Sequence, residues 1–445
     1  MVWQVFNSRQ RAKRLTAAMF SIALVALLAG PGLALGDGKA DPSFGVKGIA
    51  AFDPDPLSLE SPSDMTVDAK GRIVLAGTTT NGPGGNQAWF ARLKRNGELD
   101  PSFGTGGVTL FSSPALQYIS SVTTDSEGRI VAAGDWYMPP NRDMWLVRLQ
   151  KDGTTDPGFG IGGGAGYDSG HSFDLGYSAV IGKDGLIYFA GSTGDGDNDT
   201  ATVLRYTPDG NLDPTWGVAG VASLNIGGTS SRATAICLDR RGRVVLGGQR
   251  SYADDSSDLL GARLTRKGHL DPTFNKHGFR VLRFMRGQQA YVTDLAIDGK
   301  GRVLLAGSGD IAPDGVPDGL LARLKSNGKL DPDFGQGGKL VRSIYGTRVY
   351  LAKVRIDRAG RIVLAGGARR PDGTNKALLL RLRSDGGWDR SFGKKGQLQV
   401  SFGKPEGSGT ALAIDRKGRY LLGGGVFDNG LAYVERILAK YPRRR

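Results

Sequence analysis

Three alternating aspartates have a spacing that suits the binding of a metal cation. Asp195, Asp197 and Asp199 lie in the segment GDGDNDT. Carboxylates and carbonyls of one flexible loop are the oxygen ligands that Ca²⁺ prefers. The spacing therefore predicts a Ca²⁺ site, although the EF-hand pattern fails because Tyr206 stands where a bidentate glutamate is needed. The alternative is that these aspartates are ordinary turn residues, and no other cofactor is indicated.

Residues for other kinds of catalysis are scarce. The sequence has three histidines, His171, His269 and His277, and one cysteine, Cys237. It contains no Ser nucleophile elbow, no H-E-x-x-H motif and no Cys/His spacing typical of a metal site. An enzyme of this sequence would therefore have to use aspartate, tyrosine and lysine side chains. A single cysteine also excludes an intramolecular disulfide.

Which side chains can meet depends on a long repeat. A D-P-x-F-G motif, or a close variant of it, recurs at spacings of 56 to 60 residues. Its copies begin at Asp41, Asp100, Asp156, Asp213, Asp271, Asp331 and Asp389. Self-similarity at a fixed period of this length indicates a repeat architecture.

Each repeat contains the elements of a four-stranded antiparallel sheet. Two apolar strands flank a D-x-x-G-R turn, as in MTVDAKGRIVLAG (65–77), and read as a β-hairpin. A third strand follows, such as WFARLK (89–94), and the D-P-x-F-G turn leads into a fourth, such as VTLF (108–111). The third copy of the hairpin (179–191) is degenerate, with Gly182 and Leu186 in place of the Asp and Arg.

These elements predict an all-β fold, a seven-bladed β-propeller of four-stranded antiparallel blades. The predicted blades cover about 61–111, 118–168, 175–224, 231–284, 291–344, 349–401 and 408–441. The chain starts on a D-P-S-F-G turn and a fourth strand, and it ends after a third strand. We therefore expect the N-terminal strand, 46–53, to complete the last blade and to close the ring.

Residues 1–36 differ from the rest of the chain. Four cations, ending at Arg14, precede an apolar run from Leu15 to Leu35. This arrangement is typical of a secretory signal peptide, and the alternative is a retained membrane anchor, since about 20 apolar residues span a bilayer. No later segment is apolar enough to cross. We therefore expect a secreted, periplasmic or cell-envelope protein whose single mature domain is 37–445.

The sequence carries a formal net charge of +15. Such a balance favours acidic partners such as nucleic acid or an anionic cell-surface polymer. The cations are spread through every repeat without a basic stripe interleaved with aromatic residues, so no specific nucleic-acid binding is expected. The expected partners are protein, glycan or anionic cell-surface polymer, bound by a monomer.

The combination of D-x-x-G-R-I-V-L-A-G with A-R-L-x-x-x-G-x-L-D-P-S-F-G resembles the delta-60 repeat family of bacterial β-propellers. The resemblance covers about 41–441. It implies an exported seven-bladed propeller and brings no established activity and no catalytic residues.

Two repeated charge pairs are expected to be structural. The Asp and Arg of the hairpin turn, such as Asp68 and Arg72, are predicted to pair across the turn. The third-strand Arg, such as Arg92, occurs in all seven copies beside apolar residues. A buried Arg needs a carboxylate, and the Asp of D-P-x-F-G recurs equally often. The aromatic residue of that motif is expected to plug the space between blades.

The repeated turns are expected on one face of the propeller and are structural, so the variable residues on the other face are the candidates for ligand binding. First strands of blades line a propeller's channel, and the loops between second and third strands lie at its mouth. Candidate ligand-binding residues there are Asp64, Tyr118, Tyr291, Asp294, Tyr350 and Lys353. Asp294 and Lys353 lie on neighbouring blades and also have the option of pairing with each other.

Two functions remain open from the sequence. The first is a non-enzymatic exported propeller that acts as a binding or scaffold module. The second is a cell-envelope lyase or hydrolase that acts on a carbohydrate or another polymer at the channel mouth.

Overall fold

The computed structural model describes residues 37–55, 59–80, 86–111, 116–310, 317–344, 347–426 and 431–440. The predicted signal peptide, 1–36, therefore lies outside the described residues. The described segments form strands, turns and loops without a helix. Accordingly, they offer no helix with the length and apolarity to span a membrane.

The described residues form twenty-eight successive strands. The first nine are β1 (Ile49–Phe52), β2 (Leu59–Val67), β3 (Ile73–Thr80), β4 (Ala88–Leu93), β5 (Val108–Phe111), β6 (Leu116–Thr124), β7 (Ile130–Met138), β8 (Asn141–Leu149) and β9 (Gly164–Tyr167). The next eight are β10 (Phe173–Ile181), β11 (Ile187–Gly194), β12 (Thr200–Tyr206), β13 (Val221–Ser223), β14 (Ser230–Leu238), β15 (Val244–Ser251), β16 (Ser257–Arg263) and β17 (Phe279–Leu282). The last eleven are β18 (Ala290–Ile297), β19 (Val303–Gly309), β20 (Asp318–Leu324), β21 (Lys339–Arg342), β22 (Arg348–Ile356), β23 (Ile362–Arg369), β24 (Asn375–Leu382), β25 (Gln397–Val400), β26 (Ser408–Ile414), β27 (Tyr420–Gly425) and β28 (Ala432–Ile437).

The strands pair into four-stranded antiparallel groups, which confirms the predicted all-β class. Five groups are separate sheets, and the groups β6–β9 and β10–β13 join into one larger sheet. A single parallel pairing, between Phe173 and Arg142, links those two groups. The N-terminal strand β1 is not in the first group, because it pairs with β28, with Ile49 opposite Glu435 and Phe52 opposite Ala432.

In an antiparallel group the connections alternate between the two ends of the strands. The connections from first to second strand and from third to fourth strand lie at one end, which we call the turn face. Its segments are 37–48, 68–72, 94–107, 125–129, 150–163, 182–186, 207–220, 239–243, 264–278, 298–302, 325–338, 357–361, 383–396, 415–419 and 438–440. The remaining connections lie at the opposite end of the strands, which we call the loop face.

A buried Arg–Asp pair recurs in every group, as predicted. A guanidinium nitrogen of the third-strand Arg lies 2.7–2.9 Å from the D-P-x-F-G carboxylate in all seven copies. The same Arg lies over the aromatic ring of the motif, at 4.5–5.6 Å from the centroid. All seven rings are fully buried. Arg, Asp and aromatic ring therefore form one packed unit.

The same arginines tie neighbouring groups together. Arg263 donates from Nη1 to the carbonyl of Ser326 in the following group, at 2.5 Å. Arg436 donates in the same way to the carbonyl of Arg95, at 2.6 Å. Arg381 binds the Asp37 carboxylate instead. Each unit therefore fixes the position of the next group as well as its own turn.

The hairpin-turn pairs are also present. In the six copies that have both residues, the Arg and Asp lie 2.6–2.7 Å apart. The Asp caps the turn as well, since Asp68 Oδ1 accepts from the backbone N–H groups of Lys70 and Arg72. The predicted cross-turn pairing is therefore confirmed, and the turns are structural.

A β-bulge interrupts the first strand of all seven groups at the same position. The bulge brings a first-strand carbonyl against the glycine that ends each I-V-L-A-G motif. A Cβ added to these glycines would lie only 1.8–2.6 Å from that carbonyl oxygen. The glycine is therefore required by close approach of the backbone, and the bulge turns the following side chains toward the neighbouring group.

We expect Gly134→Ala to destabilise the fold. The new Cβ would lie 1.8 Å from the Tyr118 carbonyl oxygen, so the bulge would have to shift. Overpacking of this kind costs about 1–3 kcal/mol, measured as a loss in the free energy of unfolding. Gly166→Ala is the matched control, because its Cβ has nothing within 4 Å. Equal stability of the two variants would contradict the argument.

Removal of residues 37–53 should lower the melting temperature sharply. The deletion removes the fully buried Phe44 and leaves Arg436 without the Asp41 carboxylate, which lies 2.9 Å away. Stranding a buried charge alone costs about 3–5 kcal/mol. Thermal unfolding followed by circular dichroism measures the effect, with deletion of 441–445 as the control. An unchanged melting curve would show that β1 adds nothing to the group of β26–β28.

Candidate functional site

The predicted channel charges lie immediately after the bulges and are paired inside the protein. Lys353 Nζ is 3.0 Å from Asp64 Oδ1, and Asp64 Oδ2 accepts from the Val122 backbone N–H at 3.1 Å. Asp294 binds Arg355 at 2.7 Å. Lys353 therefore pairs with Asp64, and the alternative of a pair between Lys353 and Asp294 is wrong. These carboxylates join different groups, which takes up much of their capacity for a ligand.

The three candidate tyrosines lie at the loop-face ends of first strands and fall into two patches. The Arg142 guanidinium lies over the Tyr118 ring, 4.5 Å from its centroid. Burial first, then the charges of Tyr350 and Asp310, raise the pKa of Tyr291. Tyr350 remains 39% exposed. Tyr118 belongs to the second group, whereas Tyr291 and Tyr350 belong to the adjacent fifth and sixth groups.

The alternating aspartates are not brought together. Asp195 accepts from the Ser172 backbone N–H at 3.1 Å and lies 3.2 Å from His171 Nδ1. Asp199 is buried and pairs with Arg232 at 2.8 Å. Asp197 is exposed. Across the described segments, the carboxylates close enough to share a cation belong to other aspartates, so the geometry favours the turn-residue interpretation.

A different set of side chains meets at the loop face of the groups β6–β9, β10–β13 and β14–β17. Asp135 pairs with Arg142, whose Nε lies 2.8 Å from Oδ2. Asp199 pairs with Arg232 at 2.8 Å, and the charges of Arg232, Asp199 and Asp135 all act on the pKa of Tyr177. We call this set the rim cluster; its members are Tyr118, Asp135, Arg142, Tyr177, Asp199 and Arg232.

Tyr177 departs from the repeat. It is the extra residue of the bulge, a position that elsewhere holds a small side chain. The equivalent residues are Ser63, Ser120, Thr234, Thr293, Ala352 and Thr410. Thr293 shows the usual role, because its hydroxyl donates to the Leu351 carbonyl of the next group at 2.7 Å. A phenol ring at this position therefore marks the third repeat as specialised, and alignment of the repeats would have revealed it.

Electrostatics distinguish Asp135 from the structural aspartates. Only 5% of the residue is exposed, and this burial outweighs the attraction of Arg142 and raises the pKa of Asp135 to about 6. Burial also raises the pKa of Tyr177, against the opposing effect of Arg232. A buried carboxyl with a pKa raised to about 6 and paired with Arg142 has a property required of a general acid or base.

A second feature that the sequence interpretation missed is a groove beside the second group. Its volume is about 580 Å³, and Trp136, Trp145 and Tyr167 contribute to its wall. Small residues of β9, which reads Gly-Ala-Gly-Tyr, leave room for the groove beside the buried Trp145. At its loop-face end, three carboxylates have oxygens within 4.8 Å of one another: Asp143, Asp168 and Asp174.

These three carboxylates are the best geometric candidates for a cation among the described residues. Burial, followed by the charges of Asp168 and Asp174, raises the pKa of Asp143. Asp174 is fully buried and accepts from the Ser169 hydroxyl at 2.7 Å. A divalent cation with oxygen preference would relieve the repulsion.

The raised pKa of Asp135 predicts a pH dependence of stability. Folding raises the pKa from 3.8 to about 6, so the folded state holds the proton more tightly. The contribution is fully present below the unfolded value of 3.8 and is lost as pH rises through about 6, by up to about 3 kcal/mol. Asp135→Asn should therefore gain stability relative to wild type at pH 8 compared with pH 4, measured by thermal unfolding. A difference that is constant with pH would contradict the shift.

The architecture agrees with solved structures of one fold class, the β-propeller. Polysaccharide lyase Uly1 superposes with a TM-score of 0.51 over 91% of this chain and 97% of its own, at 11% identity. A lyase described as PL25 ulvan lyase gives a TM-score of 0.51 over 87% and 96%, at 8% identity. An inactive variant of virginiamycin B lyase from Staphylococcus aureus with quinupristin gives 0.49 over 88% and 99%, at 12% identity. Identities this low establish the fold alone.

Three repeat segments match a family model. Segments 71–103, 182–215 and 301–334 match the model described as domain of unknown function (DUF5122) beta-propeller. The match confirms the predicted resemblance to a β-propeller family without assigned function. No curated protein matches the sequence.

Proposed function

We propose that the chain is an exported, seven-bladed β-propeller whose ring is closed by the N-terminal strand. The pairing of β1 with β28 supports closure. A shared hydrophobic core also joins the last and first groups, with Phe52 and Val434 packed together with Met65 and Trp89. The Thr410 hydroxyl donates across the same boundary to the Pro62 carbonyl.

The molecule acts as a binding module, and its site is the rim cluster on the loop face. The observation that carries this proposal is Tyr177, a large polar ring at a position where the fold elsewhere uses Ser, Thr or Ala. The turn face has no comparable freedom, because its repeated residues are engaged in structural pairs. Tyr291 and Tyr350, with the paired charges of Asp64, Asp294 and Lys353 deeper in the channel, extend the candidate surface.

The chemistry of the rim cluster favours a polar polymer such as a glycan. Tyrosine rings offer flat apolar faces with a hydroxyl at one end. Arginine and aspartate side chains offer several donors and acceptors for hydroxyl and carboxylate groups. We expect the protein to act as a monomer that is secreted or located in the periplasm or cell envelope. The other expected partners are protein or anionic cell-surface polymer.

A second candidate function rests on the pKa of Asp135. A carboxyl titrating near neutral pH beside Tyr177 and Arg142 suits a lyase or hydrolase acting on a carbohydrate or another polymer. In that case Asp135 would exchange a proton with the reacting group, and an arginine would stabilise developing negative charge. The distinction between binding and turnover is experimental.

A glycan and anionic-polymer binding array with the 37–445 protein tests the proposal. Tyr177→Ser restores the residue type of the other bulges, so the variant should fold, with a lower melting temperature because a partly buried ring is lost, while binding falls at least about tenfold, as loss of an aromatic anchor does. Tyr350→Ser is the matched change in the other patch and should have a smaller effect. The reverse order of effects would place the site at Tyr291 and Tyr350 and refute the rim-cluster assignment.

The array's best ligand then decides between the two functions. A binding module leaves the polymer intact over long incubation. New chain ends that appear with wild type, and are lost in Asp135→Asn while binding persists, would establish the enzyme instead.

A further inference from the structure

The turn face carries a large excess of positive charge. Its described segments contain 23 exposed Lys and Arg residues and seven exposed Asp and Glu residues. Every group contributes; examples are Lys70, Lys151, Lys183 and Arg241. Within this exposed set, Lys94 pairs with Glu98 and Arg383 pairs with Asp385. The positive charge therefore remains mostly uncompensated on one face.

The loop face has the opposite balance. Its described connections expose seven carboxylates but two cations, Arg283 and Arg286. The exposed charge of the described residues is therefore distributed unevenly between the two faces, whereas the sequence suggested an even spread of the net charge of +15. A basic face of this kind is attracted to a negatively charged surface and orients the molecule as it approaches.

Apolar tips accompany the cations on the turn face. Val46, Ile161 and Val218 occupy the same position, directly after the D-P-x-F-G or D-P-T-W-G motif, and are 76%, 94% and 78% exposed. Other repeats place Thr105, Lys276, Gln336 or Lys394 there. Large aliphatic side chains at such exposure have no structural role in their turns, and they suit contact with an apolar layer beyond a charged one.

The chain outside the described residues joins this same face. Asp37 lies on the turn face, where its carboxylate is 2.5 Å from Arg381 and accepts from the Lys440 backbone N–H at 3.1 Å. The first and last described residues, Asp37 and Lys440, therefore both lie on the turn face.

We propose that the turn face docks on the surface of an anionic lipid membrane. Cations from all seven groups contact lipid headgroups, and the three aliphatic tips enter the interfacial layer. The rim cluster on the opposite face then points away from the membrane. Docking requires no membrane-spanning segment in 37–445, and it holds for a cleaved or a retained leader alike.

Sedimentation with vesicles tests the proposal, using the 37–445 protein, which belongs to a unit that is compact without the leader. We expect binding to vesicles of phosphatidylglycerol and phosphatidylcholine in equal parts, weakening as salt increases. Vesicles of phosphatidylcholine alone should not bind. Equal binding to both vesicle types, or none to either, would overturn the proposal.

Charge-reversal variants localise the contact. Arg241→Glu, Lys267→Glu and Lys300→Glu together should reduce the affinity for anionic vesicles by about a hundredfold, because each cation near the surface contributes. The matched control is Arg286→Glu, in a loop-face connection, with Arg348→Glu and Arg369→Glu at the loop-face ends of β22 and β23; this equal charge change should retain most of the binding. Equal losses in the two triple variants would refute an oriented contact.

Two further measurements separate a membrane from a soluble polymer. Val46→Ser, Ile161→Ser and Val218→Ser together should lower vesicle binding at high salt, where screening leaves the apolar contact dominant. Unchanged binding by this variant, or tighter binding of the wild type to soluble polyphosphate than to vesicles, would assign the basic face to an anionic polymer and contradict membrane docking. Glycan binding by the rim cluster is measured separately and is independent of every outcome.

Discussion

The buried Arg–Asp pair at the D-P-x-F-G turn is the interaction on which the rest of the structure depends. A guanidinium removed from water needs a carboxylate in good geometry and partners for its remaining donors. Here the carboxylate comes from the turn of the same group, the aromatic ring covers one face of the guanidinium, and a carbonyl of the next group takes another donor. Arg263 shows all three contacts, with Asp271, Phe274 and Ser326. One charge therefore fixes a turn, a core contact and the spacing between groups.

The bulge in the first strand is the second constraint, and it accounts for where variation is allowed. Since a first-strand carbonyl lies against the glycine of the second strand, that glycine cannot take a side chain without a shift of the bulge. The extra residue of the bulge faces the next group and is normally Ser or Thr. The fold tolerates Tyr177 there, and this side chain is the one that we propose as a ligand contact. Specialisation thus appears at a position whose backbone is rigid, which keeps the phenol in place.

The repeat made much of the fold predictable. The seven Arg–Asp pairs and the six hairpin-turn pairs followed from residue type, apolar context and equal recurrence. The site was less predictable, because its partners come from different repeats. Asp135 and Arg232 are separated by almost two repeats, so their proximity to Tyr177 depends on three-dimensional packing. The Lys353–Asp64 pair was missed for the same reason: it joins the sixth group to the first.

The pairing of β1 with β28 also determines when the structure can be completed. Asp41 and Arg436 form a hydrogen bond although they are 395 residues apart, close to the longest separation that the chain allows. Contacts of such separation form slowly. In a chain that emerges from its N-terminus, β1 appears first and must remain unpaired until the last repeat has followed. β1 has only four residues, and two of them are alanines. Its shortness limits the unpaired strand that it exposes to other chains before β28 is made.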